Sequence, residues 1–141
     1  LKNNLTGKLK RMQQTFGKEN KLKSKIEIEK IFATKLSFRN YPLTLHINYF
    51  VSSNPELKFV TSAPKRLFKR AHDRNRIKRL MREAIRKNKV TLTHFLEKNN
   101  IVLHVFAIYH ADKEVKIENL ESSIKNLFIK IENEIVSKIS K

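Results

Sequence analysis

The segment Ile101 to Tyr109, IVLHVFAIY, constrains this chain most. It is apolar almost throughout, broken by His104, and far shorter than the roughly 20 residues a membrane helix needs. A run of this kind reads as a β-strand buried on both faces. No other apolar stretch is longer, so we expect a soluble chain with no membrane partner. The N-terminus is basic and polar, with no apolar core of a secretory signal, which points to the cytoplasm.

The neighbouring pattern supplies the rest of the fold. Leu43, Leu45, Ile47, Tyr49 and Val51 alternate with Thr44, His46, Asn48 and Phe50, the period-two signature of a half-buried strand. Ser52 to Pro55 reads as a turn, and Leu57 to Ala63 as the second member of an antiparallel pair, stopped by Pro64. Three stretches have helical spacing. Residues 24–35 open with Ser24 and Glu27 spaced as a capping box, followed by Ile28, Ile31 and Phe32 on one face. Residues 74–89 form a second helix with Asp73 as N-cap, and residues 117–139 a third, with Leu120, Ile124, Leu127, Phe128, Ile131 and Ile135 inward. The order αββαβα, with a strand, helix, strand unit over 57–109, predicts an α+β domain with a parallel pair in a mixed sheet.

Charge is the second constraint. The 141 residues carry 31 Lys plus Arg against 13 Asp plus Glu, a formal net charge of +18. Residues 65–89 alone hold twelve cations against Asp73 and Glu83, a net +10. Four more cations, Lys2, Lys8, Lys10 and Arg11, stand unopposed in residues 1–11. We read 1–11 as a basic extension ahead of a start at Met12, outside the evolved design, and 12–141 as one domain. With no cysteine, disulfides, thiolate metal sites and cysteine nucleophiles are excluded.

On a helical wheel the second helix separates cleanly. Ile77, Leu80, Met81, Ala84 and Ile85 share one side; Asn75, Lys78, Arg79, Arg82, Arg86 and Lys89 share the other. Arginines at 79, 82 and 86 repeat at three and four residues, where like charges repel by about 0.2–0.5 kcal/mol per pair. A solvated face is the bland alternative, but one that holds so many like charges needs a compensating partner. Guanidinium forks bind phosphate bidentately, and Asn75 can hydrogen-bond a sugar or base edge. The apolar side lacks the aromatic anchors of a membrane-surface helix, so nucleic acid is the favoured polyanion. Phosphate contact alone does not separate RNA from DNA.

Ser62-Ala63-Pro64-Lys65-Arg66, followed by Arg74-Asn75-Arg76-Ile77-Lys78-Arg79-Leu80-Met81-Arg82-Glu83-Ala84, resembles the signature of the bacterial ribonuclease P protein subunit. The order of elements from Phe16 to Ile135 fits that family as well. The resemblance implies a small two-layer αβ sandwich with a left-handed strand, helix, strand crossover, against the usual right-handed preference. It also implies an RNA-binding cofactor of a ribozyme that removes the 5′ leader from precursor tRNA. The chemistry would belong to the catalytic RNA and its Mg²⁺, with no cofactor, metal or catalytic residue on the protein. RNA-binding positions carried over on this basis are Lys65, Arg66, Arg74, Asn75, Arg76, Lys78, Arg79, Arg82 and Arg86. For the leader cleft between the first helix and the sheet the candidates are Phe32, then Ile28, Phe16, Tyr41 and Thr61. Ile28 stands where the family commonly has an aromatic ring.

Two other readings compete. An autonomous metal-dependent nuclease needs clustered carboxylates or a His and carboxylate set beside the phosphate. Asp73 and Glu83 lie ten residues apart, and His46, His72, His94, His104 and His110 show no HxxxH spacing. A ribosomal-type structural RNA-binding protein would share both the charge and the fold class.

Overall fold

A computed structural model describes Leu22 and residues 24–139. Phe16 and the basic extension at 1–11 lie outside the described residues. The chain forms α1 (Lys25–Ala33), β1 (Ser37–Asn40), β2 (Leu43–Val51), β3 (Glu56–Ser62), α2 (Ala71–Asn88), α3 (Val90–Asn99), β4 (Ile101–Tyr109) and α4 (Ile117–Ile139).

The apolar run becomes β4, which sits inside a four-stranded sheet of order β1-β2-β4-β3. It pairs antiparallel with β2 along its whole length, Leu43 opposite Tyr109 and Val51 opposite Ile101, and parallel with β3 on its other side. The parallel pair and mixed sheet match the sequence expectation; the β2–β3 hairpin does not form. β4 is the strand with apolar side chains on both faces, so it takes the interior place and separates β2 from β3.

Register sorts the side chains into two faces. Leu43, Leu45 and Ile47 of β2, Leu103, Val105, Ala107 and Tyr109 of β4, and Leu57 and Phe59 of β3 point to one side. There they meet Ile77, Met81, Ala84 and Ile85 of α2, Leu92 and Leu96 of α3, and the inward row of α4 in one core. Fully burying each of the Leu, Ile, Val, Phe and Met side chains among them stabilises the fold by about 1.5–3 kcal/mol before the entropy of ordering is set against it. α1 lies across the other face, over β2 and β4, anchored by fully buried Ile31.

Local chemistry explains the helix ends. The Ser24 side chain accepts from the Glu27 N–H at 3.3 Å, as the capping box predicts. The Thr34 hydroxyl, 2.7 Å from the carbonyls of both Ile31 and Ile47, ties the end of α1 to β2. α3 ends at Asn100, whose left-handed backbone (φ 54°, ψ 54°) suits an asparagine at a helix stop.

Several boundaries differ from expectation. α2 starts three residues earlier than predicted, with Arg70 as N-cap and no side-chain cap; Asp73 lies in the first turn, where its charge still favours the helix dipole. Lys89 is not on the cationic face. It is fully buried at the junction of α2 and α3, because the chain turns there instead of ending a single helix. β1 and α3 were not anticipated, so the order is αβββααβα.

Candidate nucleic-acid interface

α2 presents its cations outward because its other side is committed to the core. Asn75, Lys78, Arg79 and Arg82, at intervals of three, one and three, form a continuous row. None of the four makes a side-chain hydrogen bond or ion pair among the described residues. Lys65 and Arg66 are exposed on a tight turn just ahead of α2, in which the N–H groups of Leu67 and Phe68 both donate to the Pro64 carbonyl at 3.1 Å. They too have no side-chain partner among the described residues.

The remaining three predicted cations are already engaged. Arg74 folds back, its Nη1 donating to the carbonyls of Phe68 and Lys69, each at 2.8 Å. Arg76 grips Glu114 with two parallel bonds, Nε to Oε1 at 2.8 Å and Nη2 to Oε2 at 2.9 Å. Arg86 does the same with Glu83 at 2.6 and 3.1 Å, and that hydrogen bond holds the Glu83 carboxyl below its ordinary value. Lys87 reaches the same carboxylate at 4.0 Å. Glu83 thus offsets one of the two cations at the end of the helix, while Lys78, Arg79 and Arg82 stand without a partner among the described residues.

The second predicted feature, a stacking surface under α1, lies on the other side of the sheet. Phe32 is 42% exposed rather than core. Its ring centroid is 4.9 Å from that of His46 and 5.0 Å from that of Phe106. His46 and Phe106 are direct cross-strand partners, so the trio is built by register. Burial pushes the His46 imidazole below its ordinary 6.5, leaving three uncharged rings at neutral pH. Ile28 stands one turn before Phe32 and is half-buried.

Tyr41 and Thr61 do not join this cleft. Thr61 pairs with Ala107 and so shares the face that carries the main helix layer; its neighbours Val60 and Ser62 take the cleft side. Tyr41 sits in the β1–β2 turn with its ring against His110 at 6.0 Å. His46 and Phe106 were missed as site residues. Alternation puts His46 on the polar side of β2, but Phe106 is hidden within a nearly continuous apolar run and only pairing reveals its side.

Among the described residues no group of three or more His, Asp or Glu could hold a metal ion, and no helix is long and apolar enough to cross a membrane. An α+β sandwich with an outward cationic helix on one side and an aromatic cleft on the other defines a class of proteins suited to polyanions.

Comparison with known proteins narrows this class. The ribonuclease P family profile matches residues 16–132. The ribonuclease P protein component of Porphyromonas gingivalis W83 is 30% identical over 128 residues, covering 87% of this chain and 92% of that protein. That of Borrelia turicatae is 28% identical over 110 residues, covering 78% and 90%. The structure of the Staphylococcus aureus RNase P protein superposes with a TM-score of 0.58 at 21% identity, covering 81% of this chain and 95% of that one, which establishes the shared fold. The chain belongs to the ribonuclease P protein family. Neither the ribosomal-type reading nor the autonomous nuclease is favoured by these matches.

Proposed function

We propose that this chain is the protein partner of a ribonuclease P catalytic RNA in the cytoplasm and promotes removal of the 5′ leader from precursor tRNA. The observation that carries the reading is the unpaired row Asn75, Lys78, Arg79 and Arg82 on a helix inside the family-matched region. Lys65 and Arg66 extend it, and together they offer phosphates a surface already paid for by the core packing of α2.

The leader, a single strand, is assigned to the cleft of Phe32, His46 and Phe106. Base stacking on aromatic rings tolerates any sequence and contributes about 1–3 kcal/mol per base, which suits leaders of varied sequence. The helix row is cationic and offers no donor set for Mg²⁺, so Mg²⁺ is assigned to the RNA, where it would activate the attacking water. The protein's own contribution is binding: its cations offset phosphate repulsion, and the cleft holds the substrate strand in place.

Reconstitution tests this. Added to the catalytic RNA at low Mg²⁺, the protein should restore 5′ processing, and Arg79→Ala with Arg82→Ala should weaken assembly in a salt-dependent way. With about six cations on phosphates, the log–log salt slope should be on the order of −4 to −5. Absence of stimulation at every Mg²⁺ concentration would overturn the reading; cleavage by the protein without RNA would place catalysis in the chain.

A further inference from the structure

We propose that Glu114 is a specificity-determining residue: it holds Arg76 in the two-point grip a phosphate would use, so that Arg76 engages only RNA seated in register by the rest of α2. This rests on the reading of α2 as the RNA interface.

The pair is bidentate, with both bonds between 2.8 and 2.9 Å, the geometry in which a guanidinium also receives a phosphate. Its acidic half is held from outside the helix. Glu114 lies in the loop after β4, and the buried Tyr109 hydroxyl fixes that loop, donating to the Lys113 carbonyl at 2.5 Å and accepting from the Val115 N–H at 3.0 Å. The Tyr109 ring packs on Phe68 at 5.8 Å, and the Phe68 carbonyl is held by Arg74. A closed circuit of contacts therefore delivers Glu114 to Arg76.

The site is also open to a competitor. A cavity of about 200 Å³ lined by Phe68, Asp73, Arg76, Ile77 and Glu114 adjoins the pair. Asp73 adds a second carboxylate, which raises the threshold for any incoming phosphate. The side chains of Arg76 and Glu114 are 60% and 38% exposed, so the pair is screened and weak enough to be displaced. An RNA already held by Lys78, Arg79 and Arg82 presents its phosphate at high local concentration and exchanges with Glu114. A loosely bound polyanion does not, and so loses one cation. The carboxylate thus discriminates by competition, raising the threshold for wrong partners more than for the right one.

A double-mutant cycle on the full chain tests this, with poly(U) as the non-cognate probe and the ribonuclease P catalytic RNA as the cognate one. Glu114→Gln should tighten poly(U) binding about threefold and steepen its log–log salt slope by about 0.7, with a smaller gain for the catalytic RNA. Glu114→Asp, which keeps the charge but shortens the reach, should move both in the same direction, whereas Asp112→Asn, at an exposed position in the same loop, should leave the slope unchanged. On an Arg76→Gln background, Glu114→Gln should no longer alter the slope. An identical slope change on both backgrounds, or weaker RNA binding by Glu114→Gln with the fold intact, would overturn the proposal. If instead Arg79→Ala leaves affinity and slope unchanged for both RNAs, it is the assignment of α2 as the interface that fails.

Discussion

The Arg74 guanidinium donates to the main-chain carbonyl of Phe68 at 2.8 Å, and this makes it a brace between the Lys65–Arg66 turn and the first turn of α2. The same Nη1 also reaches the Lys69 carbonyl. A helix that lacks a side-chain N-cap gains a fixed approach in this way. The family signature groups Arg74 with the RNA-contacting cations, but its hydrogen bonds give it a different task from Arg79. Arg74→Ala should lower stability by about 1–2 kcal/mol through two lost charge-assisted hydrogen bonds, and leave the salt slope of RNA binding unchanged. Arg79→Ala should change stability by less than about 0.5 kcal/mol. Its salt slope should become shallower by about 0.7–0.9. Urea denaturation and salt titration of both variants check this; a shallower slope with unaltered stability in Arg74→Ala would move Arg74 to the phosphates.

Phe32 offers a separation between the two proposed surfaces. Because it is exposed and stacks on His46 and Phe106 rather than in the main core, Phe32→Ala should leave the fold intact. Loss of one stacking platform should weaken binding of precursor tRNA with a leader by about 1–3 kcal/mol, with no effect on leaderless tRNA or on the catalytic RNA. Fluorescence binding with leader-bearing and leaderless tRNA distinguishes the two. Equal losses for both substrates would remove the leader from this cleft.

What was legible in the sequence followed from strong periodicity. β2 and α4 carry long periodic patterns, β4 is an apolar run broken only by His104, and the Ser24 cap marks α1, so these elements fell where expected. β1 has only four residues, Ser37 to Asn40, too few to show a period. α3 was hidden because no glycine or proline separates it from α2; the break is at Lys89, a residue that ordinarily signals a solvated face. At the site, wheel geometry placed the α2 cations outward, yet it could not show that Arg74, Arg76 and Arg86 have partners of their own. Those partners are two carbonyls, a glutamate 38 residues away and a glutamate one turn back. The aromatic trio needed strand pairing as well, since Phe32, His46 and Phe106 come from three elements.

A hydrogen-bonded pair on the cleft side of the sheet, half-exposed Glu56 with buried His104, gives a pH prediction. Glu56 lies 2.9 Å from His104 and 3.2 Å from Lys58. Burial alone would raise the Glu56 carboxyl, but hydrogen bonds from His104 and Lys58 and their charge outweigh it, so its value falls below the ordinary 4.5. A lowered folded-state value means stabilisation that is complete above the unfolded value and is lost as pH falls through the folded one. Glu56→Gln should therefore cost about 1 kcal/mol at neutral pH, after allowance for its partial exposure. The gap from the parent protein should close as pH drops below 4.5. Denaturant unfolding across this range measures it; a gap constant with pH would show that packing, not charge, is responsible.

Tyr109 links the core to the Arg76–Glu114 pair. Its ring is fully buried, while its hydroxyl serves the exposed loop at 113–115. Burial pushes the phenol above its ordinary value of 10.0, so it remains a hydrogen-bond donor throughout the neutral range. Tyr109→Phe keeps the ring packing against Phe68 and removes only the hydroxyl, so the loss should be about 1–2 kcal/mol of stability. The larger effect should be local. With its acceptor gone, the Val115 amide should exchange with solvent at least about tenfold faster, while amides in the centre of β4 change only by the global loss. Glu114 would then lose its fixed approach to Arg76, and Glu114→Gln should have less effect on poly(U) binding in this background than in the parent protein. Hydrogen exchange read amide by amide decides the matter: unaltered protection at Val115 would mean that the loop holds its shape without Tyr109, and that Glu114 is positioned by Arg76 alone.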